Sequence, residues 1–438
     1  MTVAERGRAL GLRTVTRLAG SDVLDRVGMR KPVERALYRA SKGGFRVAVA
    51  AGRTFSVASK LGSPARQGTA KSSGLFDLTP DDEQAMLVEA ITDFAAAGVR
   101  PAALEADTAA ATPTELLEQA SELGLGTLGI PEELGGVMTE RSAMTTVLAA
   151  EALAHGDMGI AFASLASGAV AGAIGLWGDA DQQARYLPPF TEDSAPVAAL
   201  AVLEPTPLFD PLALNTKARR DGADWILSGT KSLVPRAAEG ELFVVAAQIE
   251  GAGPALFVLE AGAEGMYSEA EPAMGLRAAS TARLVLEDVR VPGSSLLGEG
   301  QEGVYVECLQ RSMLAWCALS VGCSKAVLDY VIPYVNERVA FGEPISNRQA
   351  VAFGVADIAI ELEGMRLATW RAASRADLGK DFAREAALAR TLCVQKGMKI
   401  GADGVQLLGG HGYVKEHPVE RWYRDLRAAG VMEGALLV

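Results

Sequence analysis

The chain has 438 residues, of which 49% are hydrophobic and 22% charged, with 47 glycines. That composition supplies a large core, excludes a disordered, collagen-like or disulfide-stapled chain, and at roughly 100–200 residues per domain predicts two to four domains. A formal net charge of −12 argues against a nucleic-acid protein.

Charge is unevenly placed. Residues 1–75 carry 15 Lys/Arg against 4 Asp/Glu, a basic arm ahead of an acidic body. The arm is acid-poor and contains Arg and Ser, as mitochondrial transit peptides do; the other reading is a helical arm for peripheral contact with a partner or an anionic membrane surface. No apolar run in it can span a bilayer. Residues 61–74 read as a linker that closes this 1–75 extension. Thr79-Pro80-Asp81-Asp82 then predicts a helix start, with Thr79 as cap and acids in the first turn. Helical periodicity runs on to about 190, with breaks at Pro101, Pro113 and 131–136, and predicts a helical domain over 76–195. Within it, residues 158–178 carry no charge but are mostly Ala, Gly and Ser, which predicts a closely packed core helix rather than a membrane span.

Short β-type runs follow at 197–203, 225–227, 243–247, 255–259 and 283–286, punctuated by Gly and Pro, and predict a β-barrel-like domain over 196–298. Helical periodicity returns near 301–338, 347–379 and 382–408, ahead of a Gly-rich turn at 409–412, and predicts a bundle over 299–438. Helix block, β block, helix block is a multidomain α and β layout, not an alternating βαβ one. Two GxGxxG matches, at 124–129 and 298–303, lack the βαβ frame of a dinucleotide fingerprint and read as turns. Cys308, Cys317, Cys323 and Cys393 form no CxxC pair and read as buried free thiols. His155, His411 and His417 spell out no metal cluster.

The C-terminal third carries the chemistry. Arg338-Val-Ala-Phe341-Gly342-Glu-Pro344-Ile345 is followed by Gln349, then by Gln406-Leu-Leu-Gly409-Gly410-His-Gly412-Tyr413, by Arg421-Trp-Tyr-Arg424-Asp425-Leu-Arg427, and by Met432-Glu433-Gly434. In order and spacing this series resembles the acyl-CoA dehydrogenase family. Ile130-Pro131-Glu132-Glu133-Leu134-Gly135-Gly136, Tyr186-Leu187-Pro188 and Glu287-Asp288-Val289-Arg-Val-Pro292 extend the resemblance over about 78–438.

The resemblance implies a helical N-domain, a β-domain and a C-terminal four-helix bundle, assembled as a dimer or tetramer. It also implies FAD as cofactor, an acyl-CoA substrate and an electron-transfer flavoprotein-type acceptor, in bacterial cytoplasm or the mitochondrial matrix. In the family's reaction a proton leaves the acyl Cα and a hydride leaves Cβ for the flavin. Glu433 matches the family's base, a role that suits a carboxylate whose pKa burial raises. Gln310 stands where a variant of the family carries its base, and Arg311 beside it would be a positive charge behind the site. Arg338, Phe341, Gln349, Gln406, Gly409 and Gly410 match positions that hold the ADP half of FAD across a subunit interface. There Arg pairs with the pyrophosphate, Phe packs on the cofactor, and the glycines let backbone approach.

The flavin-ring side departs from the family. Leu203 replaces a hydroxyl residue, and the loop after it is bulky and Pro-stiffened. In Lys231-Ser232-Leu233-Val234-Pro235, Leu233 and Pro235 stand where the family has Trp and a hydroxyl. Two lost hydrogen bonds weigh about 1–3 kcal/mol, which backbone amides can offset. The same departures raise a second expectation, a non-catalytic helper subunit paired with an intact paralogue. Only five residues follow Glu433, with Ala435 where Thr is usual, which predicts a loosely fixed Glu433. Residues 278–282 and 424–427 resemble the very-long-chain members of the family.

Overall fold

Asp81, not Thr79, caps the first helix. Its carboxylate accepts from the Gln84 amide at 2.8 Å while Gln84 Oε1 accepts from the Asp81 amide at 3.1 Å. This reciprocal box needs a Gln three residues on, which Thr79 lacks. The structure, a computed structural model, describes residues 68–69 and 78–438 apart from 137, 139, 193, 194 and 302. Expectations for the basic arm therefore lie outside the described residues, except that Gly68–Thr69 pair in parallel with Glu140–Arg141.

Helix α1 (Asp82–Phe94) passes through a π turn at Ala95–Val99 into α2 (Arg100–Ala109). Pro101 does not end the rod, because the π turn just before it has already widened the backbone hydrogen-bond ladder into which its missing N–H falls. After α3 (Thr114–Glu122) come α4 (Ala143–Gly156), α5 (Met158–Trp177) and α6 (Ala180–Tyr186). Asp157 starts α5 by accepting from the amides of Gly159 and Ile160, both at 3.0 Å. The small residues of α5 are used for contact. A Cβ on Gly129 would lie 2.6 Å from the Cα of Gly172, so the first GxGxxG run is a turn packed on this helix. By length and composition α5 and the later helix Val304–Glu337 could cross a membrane, yet most of each is buried inside the protein.

Seven strands follow: β1 (Ala198–Ala201), β2 (Lys217–Asp221), β3 (Asp224–Val234), β4 (Leu242–Ile249), β5 (Pro254–Glu260), β6 (Met266–Ala270) and β7 (Ala282–Val291). Their order in the sheet is β1-β4-β2-β3-β7-β6, with β5 added to β4. β1 and β2 run parallel to β4, and the other pairs are antiparallel. Sequence reading misses β2 and β6. Both are mostly exposed and polar, so they lack the apolar alternation of a half-buried strand. Strand β3 slips register against β7 between Leu227 and Gly229 and again between Lys231 and Val234. The second slip carries Leu233 at φ 50° and lies in the segment of interest.

The C-terminal part holds three long helices, α7 (Val304–Glu337), α8 (Gln349–Asp377) and α9 (Ala383–Leu408), with the seven-residue α10 (Val419–Asp425) as the fourth. α7 is the central rod, packed on α9, α8 and, across from them, α4. A Cβ on Gly322 would lie 2.1 Å from the Glu151 carbonyl oxygen, so this glycine lets α7 and α4 touch. All four cysteines are buried free thiols. Phe162 of α5 and Trp316 of α7 close the core with ring centroids 4.9 Å apart.

Candidate active site

Glu433 lies in the segment after α10, and α7 holds that segment. The Gly434 carbonyl accepts from Ser312 Oγ and Trp316 Nε1, both at 2.8 Å. Gly434 itself packs so tightly on the end of β1 that a Cβ would meet Val202 at 2.4 Å. Met432, Ala435 and Leu436 are buried on either side. The expectation of a loosely fixed Glu433 is thus overturned: a buried indole and a buried hydroxyl pin the very next residue. These contacts bring residue 434 to the seam of bundle and sheet, against Val202.

The partner of Glu433 is a residue that sequence reading missed. Arg390 Nη2 of α9 lies 2.5 Å from Glu433 Oε1 and also donates to the Met432 carbonyl at 3.0 Å. Both side chains are only 15% exposed. Burial pushes the Glu433 carboxyl up from its usual range, and Arg390 pulls it back. One signal was available. Arg390 sits among the buried positions Ala386, Ala389 and Cys393 of α9, and an arginine beside a buried stripe needs an acid to face.

Arg311, expected as a positive charge behind the site, holds the tail that follows Glu433. It is buried, its Nε and Nη2 engage Glu307 at 2.8 and 2.7 Å, and its Nη1 donates to the Val438 carbonyl at 2.9 Å. Its guanidinium lies over the Phe382 ring. It anchors the tail rather than touching Glu433. Leu436, Leu437 and Val438 in turn face Leu125, Leu128, Leu165 and Ala315 across a small apolar hollow.

On the sheet side, Leu203 is buried and its carbonyl accepts from the Ser232 amide at 2.8 Å. The next residue, Glu204, forms a fully buried ion pair with Lys231 at 2.8 Å, and Lys231 also donates to the Val202 carbonyl at 3.1 Å. The amides of Asn215 and Thr216 complete the Glu204 carboxylate at 2.7 and 2.9 Å. Burial opposes its charge, but Lys231 and these donors hold Glu204 below the usual carboxylate range. Burial pushes Lys231 down to about 8 against the pull of Glu204. Leu233 is half-buried and Pro235 buried. The Leu233 amide donates to Glu271 at 2.8 Å and Ser232 Oγ to the same carboxylate at 2.9 Å.

The second group of expected residues gathers elsewhere. Arg338, Gln406, Gly409 and Gly410 line one open concavity of about 350 Å³ with Tyr334 and His411. A Cβ at Gly409 or Gly410 would meet nothing within 4 Å, so bare backbone faces the hollow, and Gly409 has φ +59°. A guanidinium, an amide side chain and exposed backbone fit the phosphate-bearing half of a dinucleotide. Phe341 stands outside the hollow, 96% exposed, under the Arg348 guanidinium, and Gln349 opens α8. Ser312 and Trp316, which hold the Glu433 segment, and Tyr334 of the hollow all lie on α7, so at 1.5 Å per residue the two groups are roughly 30 Å apart. Within one chain they do not share a site.

Comparison with known proteins matches all three parts. The sequence fits the family models of the acyl-CoA dehydrogenase N-terminal domain over 81–194, middle domain over 199–289 and C-terminal domain over 302–436. It is 35% identical over 364 residues to the mitochondrial short-chain specific acyl-CoA dehydrogenase of Bos taurus, covering 81% of this chain and 87% of that one. Butyryl-CoA dehydrogenase from Megasphaera elsdenii superposes with a TM-score of 0.75 at 27% identity, covering 82% and 96% of the two chains. A chain from a structure of the electron transferring flavoprotein of Acidaminococcus fermentans gives 0.75 at 30% identity, with coverage of 82% and 96%. The curated relative is a short-chain enzyme, not one of the very-long-chain members that 278–282 and 424–427 resemble. Residues just ahead of the first segment meet the second at the end of α10. The Leu276 amide donates to Asp425 at 2.6 Å and Arg424 to the Met274 carbonyl at 3.0 Å, just ahead of residues 278–282.

Proposed function

Because the chain belongs to the acyl-CoA dehydrogenase family, we propose that it oxidises a short acyl-CoA thioester to the trans-2-enoyl-CoA, with Glu433 as the base. One observation carries this reading: a half-buried carboxylate, ion-paired to Arg390, on the residue before Gly434, which packs against the end of β1. Bound FAD supplies the acceptor for the Cβ hydride. Glu433 takes the proton from Cα, and partial burial gives it more basicity than a solvated carboxylate has. Ser312 and Trp316 fix the Gly434 carbonyl, so the carboxylate works from a set position. The likeness to a short-chain enzyme favours a short acyl group.

Arg338, Gln406, Gly409 and Gly410, with Phe341 and Gln349, would hold the ADP half of FAD, and Leu203, Leu233 and Pro235 would line its ring. The roughly 30 Å between the groups exceeds the reach of one dinucleotide, so the first set serves a neighbouring copy. Phe353, Ile360 and Leu367, spaced seven apart and exposed on α8, offer an apolar face for that copy. Kinship with the Acidaminococcus chain supports an electron-transfer flavoprotein-type acceptor.

A second reading rests on Leu233. Its amide is taken by Glu271, and Ser232 Oγ with it, so neither is free for a flavin ring. That favours a helper subunit that lends its Arg338 group to a paralogue. Glu433→Gln separates the two. If Glu433 is the base, the variant keeps FAD while acyl-CoA-driven flavin bleaching slows on the order of 10²–10⁴-fold. Unchanged bleaching rejects Glu433, and absence of bleaching in the parent as well favours the helper subunit.

A further inference from the structure

We propose that Arg390 is a positioning residue for this reaction: its guanidinium ties both the Glu433 carboxylate and the Met432 carbonyl to α9, aiming the base and holding it as a carboxylate. This rests on Glu433 being the base. The geometry is two-pronged, since Nη2 reaches Glu433 Oε1 at 2.5 Å and the Met432 carbonyl at 3.0 Å. One nitrogen therefore sets the side chain and the backbone that carries it. Tethering at both points removes rotamer freedom that a base on a tail segment would otherwise keep. Among the described residues Glu433 is the acid that Arg390 pairs with, and Arg390 Nη1 is buried without a hydrogen-bond partner.

The need for such a partner follows from burial. A half-buried carboxyl drifts toward the protonated form, in which it cannot take a proton from Cα. The other titratable groups near this pair do not compensate. Tyr305 of α7 senses Glu433, but burial first, with Cys308 and nearby acids, pushes its phenol up, so it stays neutral. Cys317 of α7 lies near Arg390, and its hydrogen bond with Cys393 and its burial keep it a thiol. Arg311 faces Glu307 and Val438, and Lys231 faces Glu204. Among the described residues Arg390 is the cation that touches Glu433.

The test reads Glu433 directly, apart from turnover. Infrared difference spectra of the FAD-loaded parent against Glu433→Gln, taken from pH 5 to 9, report whether residue 433 carries a protonated carboxyl. The parent should show no carboxylic C=O band from Glu433 at neutral pH. In Arg390→Gln that band should appear and its titration should move up by about 1–3 pH units. The acid limb of kcat/KM should move with it, so that the loss is greatest at low pH. Arg390→Lys should recover most of the shift. A protonated Glu433 in the parent at neutral pH overturns the proposal even if Arg390→Gln fails to fold. So does a folded Arg390→Gln that merely lowers the melting temperature or raises KM with the titration unmoved. If instead the titration shifts as expected while Glu433→Gln still bleaches at the parent rate, the pairing stands and the base assignment falls.

Discussion

At Glu204 and Lys231 the protein has placed a charge pair where no water reaches it. Such a pair is close to neutral as a whole, but removing one member leaves the other uncompensated. Lys231→Met should therefore destabilise the protein by about 3–5 kcal/mol, read as the shift in a denaturant midpoint at constant m-value. A change below about 1 kcal/mol would show that Glu204 simply picks up a proton. Sequence reading singled out this stretch for Leu233 and Pro235, yet the consequential neighbour is Lys231. A lysine in a strand looks solvated until the register slip of β3 and the carboxylate of Glu204 are both in view. Glu433 was legible because a short motif names it. Arg390 was not, because its partner lies 43 residues on and only the packing of α9 against the tail joins them.

Among the elements, α10 is the shortest helix of the C-terminal part and one of the most connected. Arg424 forms two 2.9 Å hydrogen bonds to Asp107 of α2, Arg421 pairs with Asp157 at 2.9 Å, and Asp425 accepts from the Leu276 amide. Three parts of the chain are locked together at these points. Burial, with Asp157 nearby, pushes Asp425 up to about 8. Its unfolded value is near 3.8, so the folded state keeps a proton that the unfolded chain releases. The stability this contributes is full below about pH 4 and is lost as pH rises toward 8. Asp425→Asn keeps an acceptor for Leu276 and removes that titration. It should flatten the decline in melting temperature between pH 4 and 8 and leave stability at pH 8 at or above that of the parent. An equal drop at every pH would mean that the carboxylate is needed as a charge beside Arg421.

The long helices were legible because their periodicity persists over many turns. The strands at 224–234, 242–249, 254–260 and 282–291 were legible from their apolar runs, though the first extends well past its apolar stretch. Strands β2 and β6 were hidden because exposed polar strands owe their place to their neighbours rather than to their own pattern. The join at α10 was hidden for a related reason. Its charges read as a solvated helix face until α2, α5 and the sheet close over them.

For the whole molecule, the distance between the Glu433 region and the Arg338 hollow is the fact that organises function. A cofactor bound by both needs two copies, and α8 carries an apolar stripe suited to joining them. Ile360→Asp, in the middle of that stripe, should shift the protein toward monomer in light scattering and lower its FAD content in step. A monomer that keeps stoichiometric FAD would mean that one chain suffices. The three-part layout itself was plain from the order of helix, strand and helix blocks, whereas the separation of the two groups needed the length of α7.

The most direct test is the visible spectrum of the purified protein after FAD addition and desalting, followed by anaerobic butyryl-CoA. The account predicts about one flavin per chain, bleached on adding the thioester. A colourless protein, or a yellow one whose flavin no acyl-CoA of any length bleaches, would contradict it.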